Sequence, residues 1–257
     1  LDILNKIKDK LYFQDIIIDE AQDLNDDVIN FFSKLSDEND GKFYVFYDKN
    51  QLIYQRKNAE WIEKSECKLV LSKNCRNTLQ IAVTSNNIID INAKWNDNIV
   101  SGDMPQIIFA KDKDLTLLAI EKLIKEYKSK GFKNNEITIL TTLTEERSIL
   151  CGQEFIGNDK IVKEMDNENI FFTSSRKFKG LESNVIIIVD VEKEEFLNEE
   201  KKRNLYVAAS RAKHKLDIIV NASEEEIDNI AEQISDINIK NSIAKIATKL
   251  KVKPISI

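Results

Sequence analysis

Two adjacent carboxylates, Asp19 and Glu20, follow the run Ile16-Ile17-Ile18 and precede Ala21-Gln22-Asp23. An apolar run this short between polar flanks suits a strand buried on both faces of a parallel sheet, with the acidic pair at its C-terminal end. In open α/β sheets, ligands bind at that end. One such carboxylate can hold Mg²⁺ on the β- and γ-phosphates of a nucleotide, while the other orients and polarises an attacking water. Taken alone, the dipeptide more often marks an ordinary helix N-terminus, where acidic side chains favour the macrodipole. The decision therefore rests on the rest of the chain.

The elements that would position this pair alternate along the sequence. Leu1, Leu4, Ile7 and Leu11 recur at helical spacing, which predicts an amphipathic helix over 1–14 feeding the strand at 16–19. A helix over 26–35, capped by Asp26, would bury Val28, Ile29, Phe31, Phe32 and Leu35. Further strands are expected at 42–47, 68–71, 106–110, 137–141, 170–173, 184–189 and 215–220. Helices are expected from 78 to about 93 and over 115–130, 145–150, 198–213 and 224–234. This alternation predicts parallel α/β sheets. Periodicity fades between Asn96 and Pro105, and the domain boundary is placed near the strand at 68–71 or soon after it, giving a first domain over 1–95 and a second over 96–257. The lysine-bearing end, 238–257, reads as a solvated helix face with a loose tail, the alternative being a contact with a nucleic-acid backbone.

Composition removes several classes. A chain of 257 residues, 42% hydrophobic and 32% charged, is that of a globular protein of one or two domains. No apolar run is long enough to span a membrane and no signal-peptide pattern opens the chain, so a cytoplasmic protein without membrane partners is expected. Cys67, Cys75, Cys151 and His214 lack metal-ligand spacing, against both a zinc site and a disulfide framework. A net charge of -6 argues against a protein that coats nucleic acid non-specifically, although a local groove needs only a few cations.

The whole string Ile16 to Asp23 resembles the Walker B box of UvrD/Rep-like superfamily 1 DNA helicases, and later segments resemble that family's motifs in order. The string from Tyr47-Asp48-Lys49-Asn50 to Gln51-Leu52-Ile53-Tyr54 is similar to motif III, with Tyr47 where the family has glycine and Arg56 where relatives often carry a base-stacking tryptophan. Leu71 to Thr78 resembles motif IV, with Cys75 in place of the adenine-stacking tyrosine. Phe172 to Glu182, containing Lys179-Gly180-Leu181-Glu182, resembles motif V, with Arg176 where many relatives have histidine. Leu205 to Lys213 resembles motif VI.

The resemblance implies a RecA-like fold of the P-loop NTPase helicases, here an incomplete first lobe and a second lobe, and a parent that couples ATP hydrolysis to movement on single-stranded or partly duplex DNA, 3′ to 5′. It implies Mg²⁺ on Asp19, water activation by Glu20, a γ-phosphate sensor in Gln51, and phosphate contacts from Arg76 and an arginine finger, Arg211. Glu182, with Lys179 and Gly180, would hold the nucleotide. Tyr54, Arg56, Ser174 and Arg176 would meet the nucleic acid. No Gly-x-x-x-x-Gly-Lys-[Ser/Thr] occurs in the chain, so the expectation is the C-terminal part of a longer helicase that hydrolyses ATP negligibly by itself. Its P-loop segment would come from the same parent chain or from another. The alternative is a standalone, non-catalytic module that binds DNA or a protein.

Overall fold

The computed structural model describes residues 2–7, 11, 13–48, 67, 69, 76–91 and 98–256, which fall into two compact units divided between Leu71 and Ser72. In the first unit, helix α1 (Asp2–Ile7) precedes strand β1 (Ile16–Ile18), helix α2 (Asp26–Glu38) and strand β2 (Phe43–Val45). β1 and β2 pair in parallel, Ile16 opposite Phe43 and Ile18 opposite Val45. Those four side chains share one face and pack with Ala21, Ile29 and Phe32. On the other face Ile17 is 68% exposed. The run read as buried on both faces is therefore covered on one, because α2 meets only alternate side chains. The cap of α2 is Asn25, whose extended backbone (φ −72°, ψ 146°) leaves Asp26 inside the first turn. Residues 49–66, Cys75 and the strand expected at 68–71, apart from Leu69, lie outside the described residues.

The second unit is an α/β fold built on a mostly parallel sheet flanked by helices. Its strands are β3 (Gln106–Ala110), β4 (Ile137–Thr141), β5 (Phe155–Ile156), β6 (Asp159–Val162), β7 (Ile170–Ser174), β8 (Ser183–Val191), β9 (Ala212–Asn221) and β10 (Lys253–Ile255). They lie in the order β10-β3-β9-β8-β4-β7-β6-β5, and among them only β5 and β6 pair antiparallel. The helices are α3 (Leu79–Ile88), α4 (Lys113–Ser129), α5 (Glu194–Leu197), α6 (Glu199–Ala209), α7 (Glu224–Ile234) and α8 (Ser242–Leu250).

Register explains the apolar runs. On β8, Val185, Ile187 and Val189 point to one face, where Ile120, Ile124 and Tyr127 of α4 cover them. Ile186 and Ile188 point to the other, against a cluster that includes Ile81, Leu205, Ile230 and Ile246 from α3, α6, α7 and α8. A strand covered on both sides has no need of polar alternates, so its central residues 185–189 are continuously apolar.

Three sequence expectations are corrected here. The stretch 145–150 forms turns instead of a helix. There the buried Asp190 carboxylate accepts Thr141 Oγ1 at 2.5 Å, Ser148 Oγ at 2.6 Å and the Ile149 amide at 3.0 Å, and the last of these takes a backbone donor that a helix would use internally. The helix expected to reach residue 213 stops at Ala209, and β9 begins at Ala212. The C-terminal stretch is no loose tail: Ile246, Ala247 and Leu250 of α8 are buried, and β10 extends the sheet beside β3. Helix α3 belongs to the second unit, where Thr84 Oγ1 donates to the Lys251 carbonyl at 2.9 Å. Among the described residues no helix is long and apolar enough to cross a membrane.

Candidate nucleotide and nucleic-acid site

In the first unit the acidic pair sits where β1 ends. Asp19 is exposed, and its Oδ1 accepts the Glu20 amide at 2.8 Å. Glu20 has a left-handed backbone (φ 51°, ψ 40°), an uncommon conformation for a residue other than glycine, asparagine or aspartate. The turn brings its carboxylate to Gln22, whose Nε2 donates to Glu20 Oε2. Gln22 is buried, and its Oε1 accepts the Asp48 amide at 3.1 Å. The strand-end acids are thereby tied to the segment after β2. Of the two strand-end acids, the exposed Asp19 is the one that could hold a Mg²⁺ ion, which takes most of its ligands from water and phosphates. Among the described residues no three His, Cys, Asp or Glu side chains gather into a metal cluster.

In the second unit, groups far apart in sequence meet on one carboxylate. Arg76 Nε donates to Glu182 Oε2 at 2.9 Å, and Lys213 Nζ lies 3.0 Å from Glu182 Oε1. Hydrogen bonds from Lys213, then Arg76, hold the Glu182 carboxyl below its ordinary range. A carboxylate has roughly four lone-pair directions, and the described residues use two of them, which leaves room for hydroxyl donors such as those of a sugar. The buried Asn77 fixes Arg76 in place: its Nδ2 donates to the carbonyls of Ser210 at 2.9 Å and Ala212 at 2.5 Å. Asn77→Ala would leave both carbonyls short of a donor. It is expected to cost about 1–3 kcal/mol and to loosen Arg76 from Glu182. Urea unfolding of the chain reads the first effect, and an unchanged midpoint would refute the anchor.

The loop joining β7 to β8 carries most of the remaining candidates. Ser174 is buried, and its Oγ accepts the Lys177 amide at 3.3 Å. Arg176 is exposed, with Nη2 3.7 Å from Glu200 Oε1. Phe178 is fully buried, and Gly180 turns the chain toward Glu182 at φ 85°, a conformation that glycine adopts without strain. Ser175 Oγ donates to Asn204 Oδ1 at 2.8 Å, and Asn204 Nδ2 donates to the Thr142 carbonyl at 3.0 Å. Helix α6 thus locks the β7–β8 loop to the loop after β4.

Residues 169–219 match the UvrD-like helicase C-terminal domain. The match begins just before β7 and takes in the β7–β8 loop, α6 and most of β9, and so every residue of the second cluster except Arg76 and Asn77. A solved structure, the C-terminal domain of a possible DNA helicase from Lactobacillus plantarum WCFS1, is similar at a TM-score of 0.46 and 17% identity, covering 58% of this chain and 88% of that one. No curated protein matches the chain.

Within the UvrD-like stretch, Glu182, Lys179 and Gly180 share one turn, and Arg76 joins them from outside it. Arg211 follows the end of α6 and is 1% exposed, so its side chain is buried where an arginine finger would have to present itself. Its carbonyl accepts the Ser183 amide at 3.1 Å, linking the start of β8 to that of β9. Gln51, Tyr54 and Arg56 lie outside the described residues. Sequence reading passed over Gln22, Asn77, Lys213, Ser175 and Asn204. Gln22 stood inside the string that pointed to the acidic pair. For Asn77, Ser175 and Asn204 the signal is tertiary, because their partners come from other elements.

Proposed function

We propose that this chain is the C-terminal part of an ATP-dependent DNA helicase or translocase, in which hydrolysis drives 3′-to-5′ movement along single-stranded DNA. The observation that carries the reading is the convergence of Arg76 and Lys213 on the Glu182 carboxylate, within and next to a stretch that matches the UvrD-like helicase C-terminal domain. Asp19 would hold Mg²⁺ against the phosphates and Glu20, steadied by Gln22, would polarise the attacking water. Glu182 would take the ribose hydroxyls, with Lys179 and Gly180 shaping that turn and Arg76 placed for phosphate by its planar guanidinium. Ser174 and Arg176 would meet the nucleic-acid backbone, as would Tyr54 and Arg56. Gln51 would sense the γ-phosphate. Arg211 would act as the finger only once its side chain leaves its buried position.

The sequence contains no P-loop, so the phosphate cradle would come from a further segment of the same protein or from a second chain. The 257-residue chain is accordingly expected to bind a fluorescein-labelled oligo(dT) with an affinity that falls as salt rises, and to release phosphate from ATP only at background. Fluorescence anisotropy and a phosphate assay on the same preparation check both. Robust turnover would sink the need for a cradle, and absence of binding at low salt would sink the nucleic-acid reading.

A further inference from the structure

Lys177 faces outward from the β7–β8 loop, yet its partner is buried. Its side chain is 66% exposed while that of Glu145 is 7% exposed, and Lys177 Nζ lies 3.0 Å from Glu145 Oε1. The same oxygen accepts Thr173 Oγ1 at 2.8 Å. Burial by itself would raise the Glu145 pKa. The bonds from Lys177 and Thr173, with Lys163 nearby, outweigh burial and bring it below the ordinary range, so the carboxylate stays charged at neutral pH. One residue earlier, Arg176 faces Glu200 at the start of α6. Two successive cations of one exposed loop are thus matched by carboxylates from two other elements, the loop after β4 and helix α6.

This arrangement bears on any polyanion that approaches the loop. A phosphodiester gains little from a cation already neutralised unless it displaces the internal carboxylate. We propose that Glu145 is a built-in competitor for the nucleic-acid backbone, holding Lys177 so that the loop grips a strand weakly and releases it readily, with Glu200 acting on Arg176 in a smaller part. The exchange is purely ionic: Lys177 leaves Glu145 for a phosphate oxygen, and Glu145 keeps its hydrogen bond from Thr173. The inference rests on the reading of this loop as a nucleic-acid contact. A purely structural role, tying the loop after β4 to β7, would alter stability and leave binding unmoved.

The test is the affinity of the full chain for a fluorescein-labelled oligo(dT) over a salt series, for the wild type, Glu145→Gln, Glu200→Gln and Lys177→Ala. The amide of Glu145→Gln still accepts from Thr173. That variant is expected to bind roughly twofold to fivefold tighter at low salt, with a salt slope steeper by about 0.7. Glu200→Gln, at an exposed helix start, should move the same way by a smaller factor, and it keeps the test open if Glu145→Gln does not fold. Unchanged or weaker binding by the folded glutamine variants, with Lys177→Ala weakened, would overturn the competitor and leave the nucleic-acid reading standing. No binding by any of the four proteins would overturn both.

Discussion

Phe178→Ala is expected to cost about 3–5 kcal/mol of folding stability, the range for removing a buried aromatic ring and leaving a cavity that surrounding atoms fill only in part. The ring is fully buried in the core beside α3 and α6, its centroid 6.0 Å from that of Phe171. It is also the internal anchor of the loop between Ser175 and Glu182. The Phe178 amide donates to the Ser174 carbonyl at 3.0 Å, and its carbonyl accepts the Leu181 amide at 3.0 Å. Removing the ring therefore loosens the turn that ends in Glu182, and the Arg76 and Lys213 contacts should weaken with it. Phe178→Leu keeps most of the apolar volume and is expected to lose only about 1 kcal/mol. Urea unfolding of both variants separates these cases. A loss below about 1 kcal/mol for the alanine variant would mean that the loop is held by its polar contacts instead.

That anchor illustrates what a sequence states openly and what it does not. Strands at 106–110 and 137–141 and the helix at 224–234 stand at their expected residues, because each is marked by local chemistry. The strands are short apolar runs, and the helix opens on a capping box in which Ser223 and Glu226 satisfy each other's amides. The loop 145–150 has helical spacing of its own, and the force that overrules it is Asp190, 41 residues further along. The hairpin of β5 and β6 was passed over although Gly157, at φ 59°, opens its two-residue turn. The lysines of the C-terminal stretch were read as solvent-facing, which hid the spacing of Ile246 and Leu250 that buries α8. Among the candidate residues, Asp19, Glu20 and Glu182 stood out in the sequence because each sits in a string of specific order. Asn77 was not, since an asparagine beside an arginine announces nothing until Ser210 and Ala212 are brought to it.

Asp217 was hidden in the same way, inside a strand whose neighbours are apolar, and it is expected to impose an unusual pH dependence on stability. It lies in the middle of β9 and is fully buried. Tyr127 of α4 donates to its Oδ2 at 2.6 Å, while its Oδ1 meets no hydrogen-bond donor among the described residues. Burial pushes the carboxyl up to about 7, the Tyr127 bond and the charges of Lys130 and Lys215 opposing it and Glu126 adding to it. In the unfolded chain an aspartate titrates near 3.9. Between those values the folded protein holds a proton that the unfolded chain has lost, so folding takes up a proton and stability falls as pH rises. The stabilisation is complete below about pH 4 and gone above about pH 7, and its full span is about 4 kcal/mol at roughly 1.4 kcal/mol per pH unit. Other carboxylates impose the opposite slope at acid pH, Glu182 and Glu145 among them, since theirs are held below the ordinary range. The clean readout is therefore the difference between the wild type and Asp217→Asn, followed by urea unfolding across that interval. The amide cannot ionise, and any fixed cost of burying it is the same at every pH. The wild type should lose ground to the variant steadily from pH 4 to 7 and hold a constant difference above it; a difference that does not change with pH would show that Asp217 is charged throughout and that its partners, not a proton, make its burial tolerable.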